Sequence, residues 1–107
     1  MVKHVILWTL KEEIEDKEAV KAGIKEGLEG LMGQIDGLLE IKVNTKCLES
    51  GNVDVMLDSS FESVEALKGY ATHPKHVAVA DSKVRPYTKT RSCMDYEIWL
   101  EESIWGE

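Results

Sequence analysis

The chain is poor in the residues that define several whole classes of protein. Only two cysteines occur among its 107 residues, Cys47 and Cys93, without C-x-x-C spacing. A disulfide framework or zinc ribbon needs more, so free thiols are expected. No low-complexity or Pro/Ser-rich stretch interrupts the chain, and residues 1–107 read as a single domain. The apolar run from Val5 to Leu7 with Trp8, flanked by Lys3 and Lys11, is too short for a signal peptide or membrane span. A cytoplasmic location is the default expectation. Basic residues number 13 against 20 acidic ones, a net charge of −7. That deficit argues against nucleic acid and anionic membranes as partners, since both are held by clustered Lys and Arg. No Gly-rich phosphate loop follows a strand, so no nucleotide cofactor is expected.

What is present suits a globular core, with 43% hydrophobic and 31% charged residues. Domains of this size bury only about two-thirds of the surface their unfolded chains expose, which favours oligomerisation. From Lys3 to Leu10, His4, Ile6, Trp8 and Leu10 fall on one side of an extended chain and Val5, Leu7 and Thr9 on the other. A strand apolar on both sides needs cover on both. Val20, Ile24, Leu28, Leu31 and Ile35 recur at helical spacing, with Gly33 or Gly37 as the expected stop. Alternation then marks strands at Leu39 to Thr45 and Val53 to Phe61, joined through Ser50-Gly51-Asn52, and a fourth at Arg91 to Leu100. Ser63 is placed to cap a second helix from Val64 to about Tyr70. Pro74 breaks it before a further helical stretch through Val77, Val79, Ala80 and Val84, which Pro86 ends. The order β-α-β-β-α-β is an α+β, ferredoxin-like arrangement with an antiparallel sheet and both helices on one face.

The segment Tyr70-Ala71-Thr72-His73-Pro74-Lys75-His76 gathers a phenol and two imidazoles at a helix break. Irregular backbone of this kind lets side chains converge on a cavity. With Pro74 opening the next helix, His76 lies in its first turn, where the helix dipole favours the neutral ring. A neutral imidazole accepts protons, and a tyrosine can donate to a carbonyl gaining negative charge. The same residues also suit a structural role, with Tyr70 and His73 as buried aromatics and His76 as a cap. His73-x-x-His76 lacks a third ligand, so no metal is expected. Asp54, Asp58 and Asp95 read as solvated strand or loop carboxylates.

This segment resembles the stress-responsive A/B barrel (Dabb) family, together with the opening Val2-Lys3-His4-Val5-Ile6-Leu7, the F-E-S-x-E-A-L start at Phe61 to Leu67 and the closing Asp95-Tyr96-Glu97. The resemblance spans nearly the whole chain. It implies a ferredoxin-like protomer forming a homodimeric α+β barrel, with a cavity between sheet and helices. Among such proteins is a cofactor-free polyketide cyclase, whose catalytic tyrosine and histidine fall on Tyr70 and His76. By the same resemblance His4, Ile6 and Trp8 line the cavity, with Ile24, Val79, Ala80 and Cys93 pointing the same way and His73 beside them. The resemblance also implies a small apolar carbonyl-containing ligand. Three features depart from that cyclase: a helix-one tyrosine has an aliphatic or Lys counterpart, Trp8 is bulkier, and Arg91 adds a charge. Two functions follow: a cofactor-independent lyase, cyclase or isomerase, or a non-catalytic stress-responsive or ligand-binding dimer. A cofactor-free monooxygenase on the same barrel is a further runner-up.

Overall fold

A computed structural model describes residues 1–98. Four strands, β1 (Val2–Leu10), β2 (Leu38–Asn44), β3 (Val55–Phe61) and β4 (Thr88–Glu97), form one sheet in the order β2-β3-β1-β4. All three pairings are antiparallel. This is the ferredoxin-like order expected. Trp99 and Leu100, assigned above to the fourth strand, lie outside the described residues.

The helices α1 (Lys17–Glu29), α2 (Val64–Thr72) and α3 (Pro74–Val79) follow local chemistry. The Asp16 side chain accepts from the Ala19 amide at 3.0 Å and starts α1. Ser63 does the same for α2, accepting from the Ala66 amide at 3.1 Å. Between α2 and α3, His73 adopts φ −65°, ψ 131°, the extended geometry demanded of a residue before proline. A single π turn, Ala80–Val84, continues α3, closed by the Arg85 amide on the Ala80 carbonyl at 2.8 Å. Among the described residues no helix is long and apolar enough to cross a membrane.

Strand and helix ends differ from expectation by up to three residues at β3, β4 and α2, and the largest difference is at the end of α1. Helix α1 stops at Glu29, capped by Gly30, and Leu31 and Ile35 reach the core from successive turns rather than from a continuing helix. Each glycine costs a helix up to about 1 kcal/mol relative to alanine, so a stretch holding Gly27, Gly30 and Gly33 ends early. Gly37 has a separate purpose. Its φ is +82°, and a Cβ there would meet the Ala66 Cβ at 2.4 Å, so a side chain would push α2 off the sheet.

Register sorts β1 into two faces. Val2, His4, Ile6, Trp8 and Leu10 are buried beneath the helices, while Lys3, Val5, Leu7 and Thr9 are half-buried on the opposite face. Val5 and Leu7 there pair with Met94 and Met56 on the neighbouring strands, and Met94 is 63% exposed. Among the described residues nothing covers this apolar strip. Cys47 follows β2 and Cys93 lies in β4, so the two free thiols sit at opposite edges of the sheet.

The uncovered face predicts an isologous dimer. Light scattering at micromolar protein should give twice the 12.0 kDa chain mass, and Leu7→Asp should shift the population to monomer. A well-folded wild-type monomer would refute the sheet-to-sheet contact.

Candidate functional site

Helices α2 and α3 and the π turn stand off the sheet around β1 and β4, framing a cavity of about 850 Å³ that is open to solvent along β4. Strand β1 contributes His4, Ile6 and Trp8, and β4 contributes Arg91, Cys93 and Asp95. Tyr70, His76, Ala80 and Val84 close the helical side. The cavity thus reaches Tyr70 and His76, and Trp8, only 4% exposed, forms wall rather than filling.

Tyr70 sits at the last turn of α2, where the helix buries its only fully enclosed residue. It is 1% exposed, and its ring lies 5.0 Å from Phe61 and 4.1 Å from His76, centroid to centroid. Its hydroxyl is buried without a hydrogen-bond partner among the described residues. Such a group loses its hydration with no return, at a cost of about 1–3 kcal/mol. Burial also pushes its pKa far above the ordinary value, so the phenol stays protonated and remains a donor.

His76 follows Pro74 by two residues, in the first turn of α3. Its Nδ1 lies 3.3 Å from the Ala71 carbonyl, which can only accept, so Nδ1 carries the proton and Nε2 the lone pair. Burial pulls its pKa below the usual imidazole value, and the nearby Arg85 and His4 add to that. The Ala71 hydrogen bond opposes the shift. The ring is therefore neutral at pH 7.

A second cluster lies on the sheet wall. His4 and Asp95 are directly paired across β1 and β4, and Asp95 Oδ1 is hydrogen-bonded to His4 Nδ1. Cys93, two residues before Asp95 on the same face, places its Sγ 3.7 Å from His4 Nδ1 and 3.5 Å from Asp95 Oδ1. Burial, then the adjacent Asp95 carboxylate, raises the Cys93 thiol, and Arg91 pulls the other way. A thiol so raised is a poor nucleophile. Moreover, Cys93 and Asp95 meet the same imidazole nitrogen, which rules out a Cys-His-Asp relay running through both ring nitrogens.

Seven of the ten residues assigned above meet at the cavity: His4, Ile6, Trp8, Tyr70, His76, Ala80 and Cys93. Three are not brought to it. Ile24 is 0% exposed in the core beneath α1. Val79 turns toward α1, where a Cβ on Gly27 would meet its Cγ1 at 2.9 Å. His73 caps α3, its Nδ1 accepting from the Lys75 amide at 3.1 Å. The carboxylates keep solvent contact, Asp95 being exposed and Asp54 and Asp58 half-buried, but each also has a partner or a wall position. Asp54 accepts from the Leu10 amide at 2.8 Å, Asp58 pairs with Lys3 at 2.5 Å, and Asp95 joins the cavity wall. Asp95 shares a strand face with Cys93 by simple alternation, so a signal existed. Its partner His4 lies 91 residues away, and only strand register reveals the pairing.

Similarity to known proteins agrees with this geometry. A dimeric protein from Bacteroides fragilis with a ferredoxin-like fold is 31% identical, aligned over 91% of this chain and 95% of its own, with a TM-score of 0.83. A Dabb family protein from Mesorhizobium loti is 19% identical over 92% and 96% of the two chains, with a TM-score of 0.71. Hydroxynitrile lyase from Passiflora edulis shares the fold at 17% identity, over 92% and 94%, with a TM-score of 0.70. No individually curated protein matches the sequence. Residues 2–98 match the stress responsive A/B barrel domain, and the chain belongs to that family.

Proposed function

We propose that this protein is a cofactor-independent lyase, cyclase or isomerase acting on a small carbonyl compound. His76 is the general base and Tyr70 the donor to the developing enolate oxygen. One observation carries the reading: a buried phenol without a partner, in ring contact with a neutral imidazole, on the wall of a cavity. A carbonyl oxygen of the ligand supplies the acceptor that the Tyr70 hydroxyl lacks. His76 Nε2 takes the acidic proton beside that carbonyl, and the negative charge moves onto the oxygen facing Tyr70. The apolar wall of Ile6, Trp8, Ala80 and Val84 matches a ligand of small, largely hydrocarbon body. The lyase from Passiflora edulis supports the reading only to the extent that the fold accommodates lyase chemistry.

Exchange of acidic α-protons for deuterium in β-keto acids, β-diketones and short polyketide mimics tests it directly. His76→Ala should lose about 10²–10⁴-fold in rate, and Tyr70→Phe the equivalent of about 3 kcal/mol in barrier. Tyr70→Phe should at the same time leave the fold equally or more stable, by up to about 1–3 kcal/mol in denaturant unfolding, because it removes an unpaired buried hydroxyl. Wild type that binds such compounds without exchanging their protons would replace this reading with the ligand-binding one.

The pH dependence has a definite sign. A base must be neutral to act, and the His76 pKa lies below its reference of about 6.5. Activity should therefore hold from pH 7 downward past 6.5 and fall on the acid side of that value. The raised Tyr70 pKa predicts no loss of the donor at moderately alkaline pH. An acid limb centred above pH 6.5 would remove His76 from the role of base.

A further inference from the structure

The second cluster on the cavity wall has no part in that chemistry. We propose that His4, Cys93 and Asp95 form a binding site for a divalent transition ion of the zinc class, open on its fourth side to the cavity. Among the described residues this is the one group of three whose nitrogen, sulfur and oxygen ligand atoms all lie within 4.8 Å of one another. A tetrahedral ion with Zn–S near 2.3 Å and Zn–N or Zn–O near 2.0–2.2 Å sets donors about 3.4–3.6 Å apart. The Cys93–His4 and Cys93–Asp95 separations of 3.7 and 3.5 Å already match two of the three edges. The third, His4 to Asp95, is a hydrogen bond that opens when the ion replaces the shared proton.

The scaffold favours such a site. His4 stands on the central strand, its carbonyl accepting from the buried Ser59 hydroxyl at 2.7 Å, while Cys93 and Asp95 are fixed by the β1–β4 register. Imidazole, thiolate and carboxylate together suit zinc, whereas calcium and magnesium require oxygen donors throughout. Three protein ligands leave one position for water or a ligand oxygen, the arrangement of open rather than structural zinc sites. Binding moves the imidazole proton to Nε2 and releases the thiol proton to solvent. This site departs from the expectation of no metal. That expectation considered only His73 and His76, which here serve as a cap and a cavity base.

The test is titration of the full reduced chain with Co²⁺, and with Zn²⁺ against a chromophoric chelator. Wild type should bind one ion per chain and show a near-ultraviolet thiolate-to-cobalt band. Cys93→Ser should abolish that band, and Cys47→Ser should retain it. Asp95→Asn should weaken Zn²⁺ by more than the roughly 10–100-fold that loss of an outer partner costs. Both β4 substitutions fall at exposed edge-strand positions, and circular dichroism confirms that the variants remain folded. Absence of stoichiometric binding at micromolar metal, or a cobalt band that survives Cys93→Ser, would overturn the proposal.

Discussion

Strand β1 hydrogen-bonds to β3 on one edge and β4 on the other, and the period of two along it decides what every other element can do. With Val2, His4, Ile6, Trp8 and Leu10 turned toward the helices, His4 falls opposite both Ser59 and Asp95, and Ile6 opposite Leu57 and Cys93. A slip by one residue would present Lys3, Val5, Leu7 and Thr9 to the helices instead. It would dissolve the core, the cavity wall and the open apolar face together. The register is held because the buried set includes Trp8 and Ile6, whose exposure would cost about 1.5–3 kcal/mol each.

The cavity exists because the helical layer is narrower than the sheet. Helix α1 packs on β2, and α2 reaches β1, β2 and β3, but β4 keeps its residues exposed on both faces. Gly37 lets α2 settle against the chain entering β2, and Gly27 lets Val79 of α3 press against α1. Those two contacts draw the helices toward the β2 side of the sheet. The π turn after α3 then carries Ala80 and Val84 back to the cavity roof, a use consistent with the frequency of such turns at functional sites.

Much of this was legible from local signals. Alternation marks the strands, Ser63 and Pro74 mark helix starts, and the Tyr70 to His76 segment supplies two residues of the cavity wall, because each depends on residues near in sequence. What escaped depends on packing. The spacing of Leu31 and Ile35 is helical, yet the glycines between them favour turns that still bury both residues. Ile24 and Val79 face inward as their periodicity implies, but periodicity cannot say whether inward means core or cavity. Asp95 is a solvent-exposed strand carboxylate as read, but its pairing escaped, because only strand register sets it against a histidine from the opposite end of the chain.

Burial acts oppositely on the two site residues and gives both the same character. It raises the pKa of Tyr70 and lowers that of His76, because in each case the charged form is the one water would have stabilised. The pair is therefore a neutral donor beside a neutral acceptor at pH 7. The proposed neutral carbonyl ligand would suit such a pair, since a charged group beside it would lose hydration with no counter-ion to offset the loss. The cationic side chains that line the cavity, Lys68, Arg85 and Arg91, are all solvent-exposed. Under the proposed function, a carbonyl ligand with an anionic end would turn that end toward these exposed cations and its carbonyl toward Tyr70. The unpartnered hydroxyl fits this division, because a water-satisfied phenol would have to be desolvated at each binding event. Tyr70 has already met that cost in the fold.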